Sequence, residues 1–260
     1  MSIDWSLLAA PFVAGLLVLA THVPLGIDVL RRGIIFIDLA IAQVAGLGVI
    51  VAQMLGGEAP LAAQGAAAVA ALIGAMAMNW SEKRWPDVQE ALIGLVFVVA
   101  AAAGILLLAG NPHGGEHLKD MLSGQVLWVD WAQLGPVAVL YAVILGFWPH
   151  VGRRQSRAGF YILLALAVTA SVQLVGVLLV FASLIAPAVA FRRLTGKRRL
   201  LASWALGTLG YAAGLLASSL FDLPAGAAIV CCLAGMAFVA MAMTPATQRE
   251  DADCPADGIY

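Results

Sequence analysis

Charge is the scarcest commodity in this sequence. Of 260 residues, 14 are Lys or Arg and 15 are Asp or Glu, so charged side chains make up 11%. Soluble domains carry about 25%, and a globule in water needs that charge to stay dispersed. A soluble enzyme and a disordered chain are therefore excluded. The formal net charge of −1 leaves no broad basic field for nucleic acid. Cysteine is as sparse, with three in all. Cys231 and Cys232 are adjacent in an apolar run and Cys254 is near the C-terminus, which gives neither a disulfide framework nor a metal-thiolate site. What the chain has instead is 62% hydrophobic residues and 27 glycines, a composition suited to closely packed membrane helices.

The few charges are clustered. Arg31–Arg32 and Lys83–Arg84 form pairs, and Arg153, Arg154 and Arg157 form a triplet. Arg192, Arg193, Lys197, Arg198 and Arg199 form the largest group, and only Lys119 and Arg249 stand alone. Crossing ~30 Å of hydrocarbon takes ~20 helical residues. Eight apolar segments qualify: Trp5–Ala20, Gly33–Leu55, Leu61–Asn79, Val88–Ala109, Ala132–Trp148, Phe160–Ala190, Leu200–Phe221 and Ala225–Thr244. The expected fold is all-α, a polytopic membrane bundle. One permease-like domain would cover residues 1–247 and a polar tail residues 248–260. The first segment has Asp4 and no Lys or Arg ahead of it, unlike a signal peptide, and is expected to be a mature span.

The positive-inside rule orients these spans. Each basic cluster marks a cytoplasmic turn, so the N-terminus and the loop Gly110–Asp130 lie outside and the C-terminal tail inside. Parity fails at Phe160–Ala190, which has a basic cluster at both ends. At 1.5 Å per residue this run would also be ~46 Å long, too much for one straight crossing. The expectation is a segment that enters, breaks near Gly176 and returns as a shorter helix. The alternative is one tilted helix with a misassigned cluster. Broken helices at membrane depth occur where they are buried in protein or line a cavity.

No catalytic constellation is visible. There is no H-E-x-x-H and no G-x-S-x-G, and Thr195-Gly196-Lys197 lacks the rest of a Walker A loop. A transport role without an ATPase site of its own is the resulting expectation. The Pro187-interrupted run leads into Phe191-Arg192-Arg193-Leu194-Thr195-Gly196-Lys197-Arg198-Arg199. From the residues alone, this basic helix–turn is either a docking element for a partner or ordinary positive-inside anchoring.

Three stretches carry a resemblance. Ala165–Ala188 contains Val172-Gln173-Leu174-Val175-Gly176-Val177-Leu178-Leu179 and Ser183-Leu184-Ile185-Ala186-Pro187. Gly214–Val230 contains Ser218-Ser219-Leu220-Phe221-Asp222-Leu223-Pro224-Ala225-Gly226, and Val29-Leu30-Arg31-Arg32-Gly33 leads into an Ala/Gly-rich span. In order and spacing these resemble the permease subunits of zinc/manganese-type ABC importers, over nearly the whole chain. The resemblance implies a multi-pass subunit of the bacterial inner membrane that pairs with a second copy around a central pathway. It implies a divalent metal ion as cargo, an extracytoplasmic metal-binding protein that delivers it, and a separate cytoplasmic ATPase that binds the ATP. It also implies a coupling helix within Ala188–Arg199, with Pro187, Arg192, Arg193, Thr195, Gly196, Lys197 and Arg198 as ATPase-coupling residues. An ion-coupled secondary transporter or channel is the competing class. It calls for several buried carboxylates and often an internal repeat, whereas one clear mid-span acid, Asp38, and no convincing repeat are seen.

The metal path departs from the family pattern. The resemblance implies an aspartate and a histidine four residues apart on the second span, where this chain has Leu39 and Gln43. Asp38 precedes the aspartate position by one residue. On a helix Asp38 and Gln43 point about 140° apart. Both remain metal candidates, against packing or interhelical pairing. The second candidate set is His113, Glu116 and His117 in the outer loop, with Asp120 nearby. Imidazoles with a carboxylate suit Zn²⁺, although a solvated loop capping the next helix is equally compatible with the residues. Trp128 and Trp131 suit an interfacial belt. His22 and His150 are read as interfacial residues near span ends, and Asp222 as a cap for the following helix. Gly207, Gly210 and Gly214 are read as close-approach positions between helices, within the chain or between copies.

Overall fold

The computed structural model describes residues 5–56, 59–108, 126–153 and 156–243. Among them it has nine α-helices and no strand. These are α1 (Trp5–Arg32), α2 (Ile37–Met54), α3 (Pro60–Arg84), α4 (Gln89–Leu108), α5 (Trp131–Arg153), α6 (Arg157–Val175), α7 (Val177–Ala190), α8 (Gly196–Phe221) and α9 (Ala225–Met243). Single 3₁₀ turns, Pro86–Val88 and Val126–Trp128, precede α4 and α5. Eight of the helices are long and apolar enough to cross a membrane; α7, at 14 residues, is the short one. The tail from 248 onward, and with it the boundary at 247, lies outside the described residues.

The bundle has two parts. α2 packs between α3 and α4, with α6 closing that side; α1, α7, α8 and α9 form the other. The α6–α7 unit joins the two. Side-chain contacts gather the basic clusters at one end of the bundle. The Arg32 guanidinium lies 4.2 Å from the centre of the Phe160 ring at the start of α6. Arg157 reaches Glu82 at the end of α3 at 4.0 Å. Arg199 at the start of α8 is within electrostatic reach of Asp28 and Arg31 at the end of α1.

The same contacts resolve the parity problem. Gly176 stands alone between α6 and α7 with φ 83° and ψ 162°, a backbone region essentially confined to glycine. Phe160, near the start of this unit, sits under Arg32, whereas Ala188, near its end, accepts a hydrogen bond from Arg199 at 3.0 Å. The segment thus leaves the basic end along α6 for about 28 Å and returns along α7 for about 21 Å. The expected break and return are both present.

Four expectations need correction. α1 does not stop at Ala20 but runs on through Pro24 to Arg32. The residues Thr21-His22-Val23-Pro24 look like a helix end, yet Thr21 Oγ1 and His22 Nδ1 bond the Val18 carbonyl inside the helix at 3.1 and 2.9 Å, which leaves only His22 Nε2 without a partner. His22 is accordingly fully buried rather than interfacial. Asp222 does not cap the next helix; it ends α8 in the left-handed region (φ 53°), which a short polar side chain tolerates. The neighbours of Gly207, Gly210 and Gly214 are Leu19, Leu233 and Ile229 of this same chain. They permit α8 to approach α1 and α9, so close approach between copies is not needed to explain them. Trp128 and Trp131 are exposed on the end away from the basic clusters, as a belt requires.

Gly26 of α1 sits so close to the Leu184 carbonyl of α7 that any Cβ would collide with backbone. Gly26→Ala is therefore expected to lose on the order of 1–3 kcal/mol, the usual cost of overpacking. Gly94→Ala, with nothing within 4 Å, should be near neutral. Thermal unfolding followed by size-exclusion chromatography separates the two; equal stability would contradict this packing.

Candidate functional site

Asp38 lies in the first turn of α2, close to the basic end of the bundle, and not in mid-span. The helix starts at Ile37 because Arg31–Gly33 ends α1 and Gly33 turns with φ 70°. Phe36, the residue before α2, brings no side-chain cap of its own. Glu90 from the first turn of α4 supplies one, its Oε1 accepting the Phe36 N–H at 3.2 Å. The Glu90 carboxylate is also within electrostatic reach of Asp38. Asp38 is 1% exposed and no side chain donates to either of its oxygens; Glu90 Oε2 is likewise buried without a partner. Unpaired carboxylates are costly to bury. Two of them on adjacent helices, with three acceptor oxygens that no side chain engages and only the first-turn backbone N–H groups of Asp38 and Leu39 near the Asp38 carboxylate, form a donor set that suits a cation.

The corner around them is tightly built. Gln89 accepts from Ser81 Oγ at 2.9 Å and donates to the Met78 carbonyl at 3.1 Å and to Tyr161 Oη at 3.5 Å. This ties α3, α4 and α6 together beside Glu90. Gln43 is buried in α2 five residues beyond Asp38, on a different part of the helix surface. Among the described residues, no three His, Cys, Asp or Glu side chains converge as a metal cluster. His113, Glu116 and His117 lie outside the described residues. Glu90 was missed from sequence because it follows the Lys83–Arg84 cluster and reads as an ordinary helix-start acid. Only the parallel pairing of α2 and α4 brings it to Asp38.

The basic segment after α7 forms the second feature. Phe191, Arg192 and Arg193 make a turn that the Leu194 N–H closes onto the Phe191 carbonyl, Thr195 is extended, and α8 starts at Gly196 with φ 59°. No separate short helix is present; a turn plus the first turn of α8 takes its place, because Gly196 starts α8 directly. Arg192, Arg193, Thr195, Gly196, Lys197 and Arg198 are exposed, whereas Pro187 is buried in α7. Two bonds fix this turn to the bundle. Arg199 Nη2 donates to the Ala188 carbonyl, and Ser203 Oγ donates to the Pro187 carbonyl at 2.9 Å. A guanidinium on the last carbonyls of a helix also opposes the negative end of its dipole. Arg199 and Ser203 are thus the positioning residues of the turn.

These features define a polytopic membrane transport subunit with a rigidly held basic turn at one end. The family model of the ABC 3 transport family matches residues 4–154 and 151–244, and the chain belongs to that family. It is a multi-pass protein of the bacterial inner membrane and the permease component of an ABC importer. The chain is 27% identical to the manganese transport system membrane protein MntC of Halalkalibacterium halodurans over 249 residues, 88% of this chain and 84% of that protein. It is 25% identical to the high-affinity zinc uptake system membrane protein ZnuB of Haemophilus influenzae over 252 residues, 88% and 95% of the two chains. The solved structure of PsaBC from Streptococcus pneumoniae in complex with Fab has a chain of the same fold. The TM-score is 0.74 with 21% identity and 93% of both chains covered.

Asp38→Asn removes a buried charge that no side chain pairs. It is expected to leave thermal stability unchanged or higher, in contrast to Ser203→Ala, which strips a buried donor from the Pro187 carbonyl and should lower stability by about 1 kcal/mol. Parallel melting curves of the purified chain check this; a strongly destabilised Asp38→Asn would show that the carboxylate has a structural partner.

Proposed function

We propose that this chain, paired with a second copy, forms the pathway of an importer for a divalent first-row transition-metal ion. The ion is delivered by an extracytoplasmic metal-binding protein, and the motor is a separate ATPase that docks on residues 191–199. The observation that carries the proposal is the basic turn itself. It is exposed where a cytoplasmic partner would reach it and anchored by Arg199 and Ser203 to α7, so that a push on the turn acts on α7.

The cargo rests on chemistry and kinship together. Carboxylate oxygens suit hard and borderline divalent ions, and an ionisable residue buried in a spanning helix is a functional candidate. Asp38 with Glu90 offers such oxygens on the pathway-side helices α2 and α4, with Gln43 a weaker neutral contact. His113, Glu116 and His117 would receive the ion at the outer mouth. Relatives named for manganese and zinc transport support a metal cargo. The missing histidine at Gln43 favours an oxygen-rich path over an imidazole one.

The test is a reconstituted complex with its ATPase in proteoliposomes, challenged with a panel of Mn²⁺, Zn²⁺ and Fe²⁺. Asp38→Asn is expected to reduce metal-stimulated ATPase activity on the order of tenfold or more, as loss of a metal contact does. Deleting Gly196–Arg199 should abolish co-purification with the ATPase. Metal uptake that persists with no ATPase present would overturn the proposal.

A further inference from the structure

A cleft of about 420 Å³ opens at the basic end of the bundle, between the ends of α1 and α5 and the start of α6. Its polar wall is made by Arg31, Arg32 and Arg157, with Asp28 the sole acid lining it; its apolar wall is Trp148, Val151 and Phe160. Arg31 bonds Asp28 at 3.3 Å yet remains 71% exposed, and Arg157, loosely paired with Glu82, is 53% exposed. Arg32 is held over the Phe160 ring. With Asp28 and Glu82 each pairing one of the three guanidinium groups, one positive charge is left in excess in a concave site. The planar N–H forks of Arg match phosphate oxygens.

We infer that this cleft binds the phosphate of an anionic phospholipid. The apolar surroundings decide between a lipid and a free anion. On α5, Val139, Val143 and Phe147 are exposed at a spacing of four residues, which places them on one face of the helix. That face leads along the helix to Trp148 and Val151 in the cleft. Acyl chains lying on it put the headgroup at the mouth of the guanidinium pocket, and Trp148 lies towards the end of α5, the part of a span where indoles favour the interface. Basic pockets between helix ends on the cytoplasmic side are suited to such headgroups. None of these residues belongs to the Asp38 site or to the 192–198 turn, so the inference stands apart from the proposed cargo and motor.

The full chain, purified in mild detergent, is placed in nanodiscs of phosphatidylcholine with or without phosphatidylglycerol, and retained lipid is counted by native mass spectrometry. Wild type is expected to retain about one phosphatidylglycerol per chain over phosphatidylcholine, with the preference weakening as salt rises. Each guanidinium removed should cut the preference about fivefold, so Arg31→Gln with Arg157→Gln should cut it by about twenty-five-fold. Should that double variant fail to fold, the wild-type salt titration and Arg31→Gln alone decide the question by the same criterion. Equal retention of both lipids, or a preference unchanged in the variants, overturns the inference. So does a thermal stabilisation by inorganic phosphate as large as that by phosphatidylglycerol, which would make this a site for free anions.

Discussion

At Gly176 the backbone takes φ 83° and ψ 162°, and every element after it depends on the turn made there. A helix continued through this residue would carry the basic residues of 192–199 to the far side of the bundle, away from Arg31 and Arg32. Reversal instead places both ends of α6–α7 at the same end. α7 is then enclosed by α1, α8, α9 and α2, as an interrupted helix in a bilayer must be. The close approaches follow from that enclosure: Gly26 against the Leu184 carbonyl, Gly15 against the Tyr211 ring, and Gly214 against the backbone of Ile229. Tyr211 Oη and Ser183 Oγ, 2.8 Å apart, then bond across the α7–α8 contact.

Polar groups in this chain are few, and most of those buried near the spans' ends have identifiable structural roles. Glu90 caps a helix that is not its own. Gln89 satisfies Ser81, Met78 and Tyr161 at once, and Ser203 takes up the carbonyl of Pro187. Asn79 Oδ1, Glu82 Oε2 and Arg199 Nε at the same end also lack partners, but only at Asp38, among the described residues, do both oxygens of a buried carboxylate receive no side-chain donor. That contrast, rather than the mere presence of an acid in a span, is what makes this corner a candidate for cation contact.

Much of the architecture was legible in the sequence because lipid imposes simple rules. The apolar run lengths gave the eight long helices, and the positions of the basic pairs gave the end at which they gather. The failure of parity between Arg157 and Arg192, together with a glycine at the right place, gave the break. Helix ends were less legible: Thr21-His22-Val23-Pro24 resembles a terminator, and its local bonding to Val18 is invisible without coordinates. The site was read only in part. Asp38 stood out as a rare acid, but its depth was misjudged because a span boundary drawn from Gly33 hides where the helix starts. Glu90 could not be recognised, since its pairing with α2 is a tertiary fact with no spacing to announce it. Arg199 read as one more basic residue, although its neighbours point outward and it points back to Ala188.

The bonds from Arg199 to Ala188 and from Ser203 to Pro187 have a mechanical consequence. Pro187 has no N–H, so α7 lacks one of its own rungs just where α8 takes hold of it. The two helices are clamped at that point and meet again at Ser183 and Tyr211, while the other end of α7 is a single glycine. Under the proposed docking of an ATPase, such a part would act as a crank, with its handle at residues 192–198 and its pivot at Gly176. Phe181, stacked on Phe36 at 6.2 Å, is the bearing surface against the start of α2, the helix that carries Asp38. Rotation of the handle would thus be delivered to the helix bearing the carboxylate without any need to deform the long spans between them.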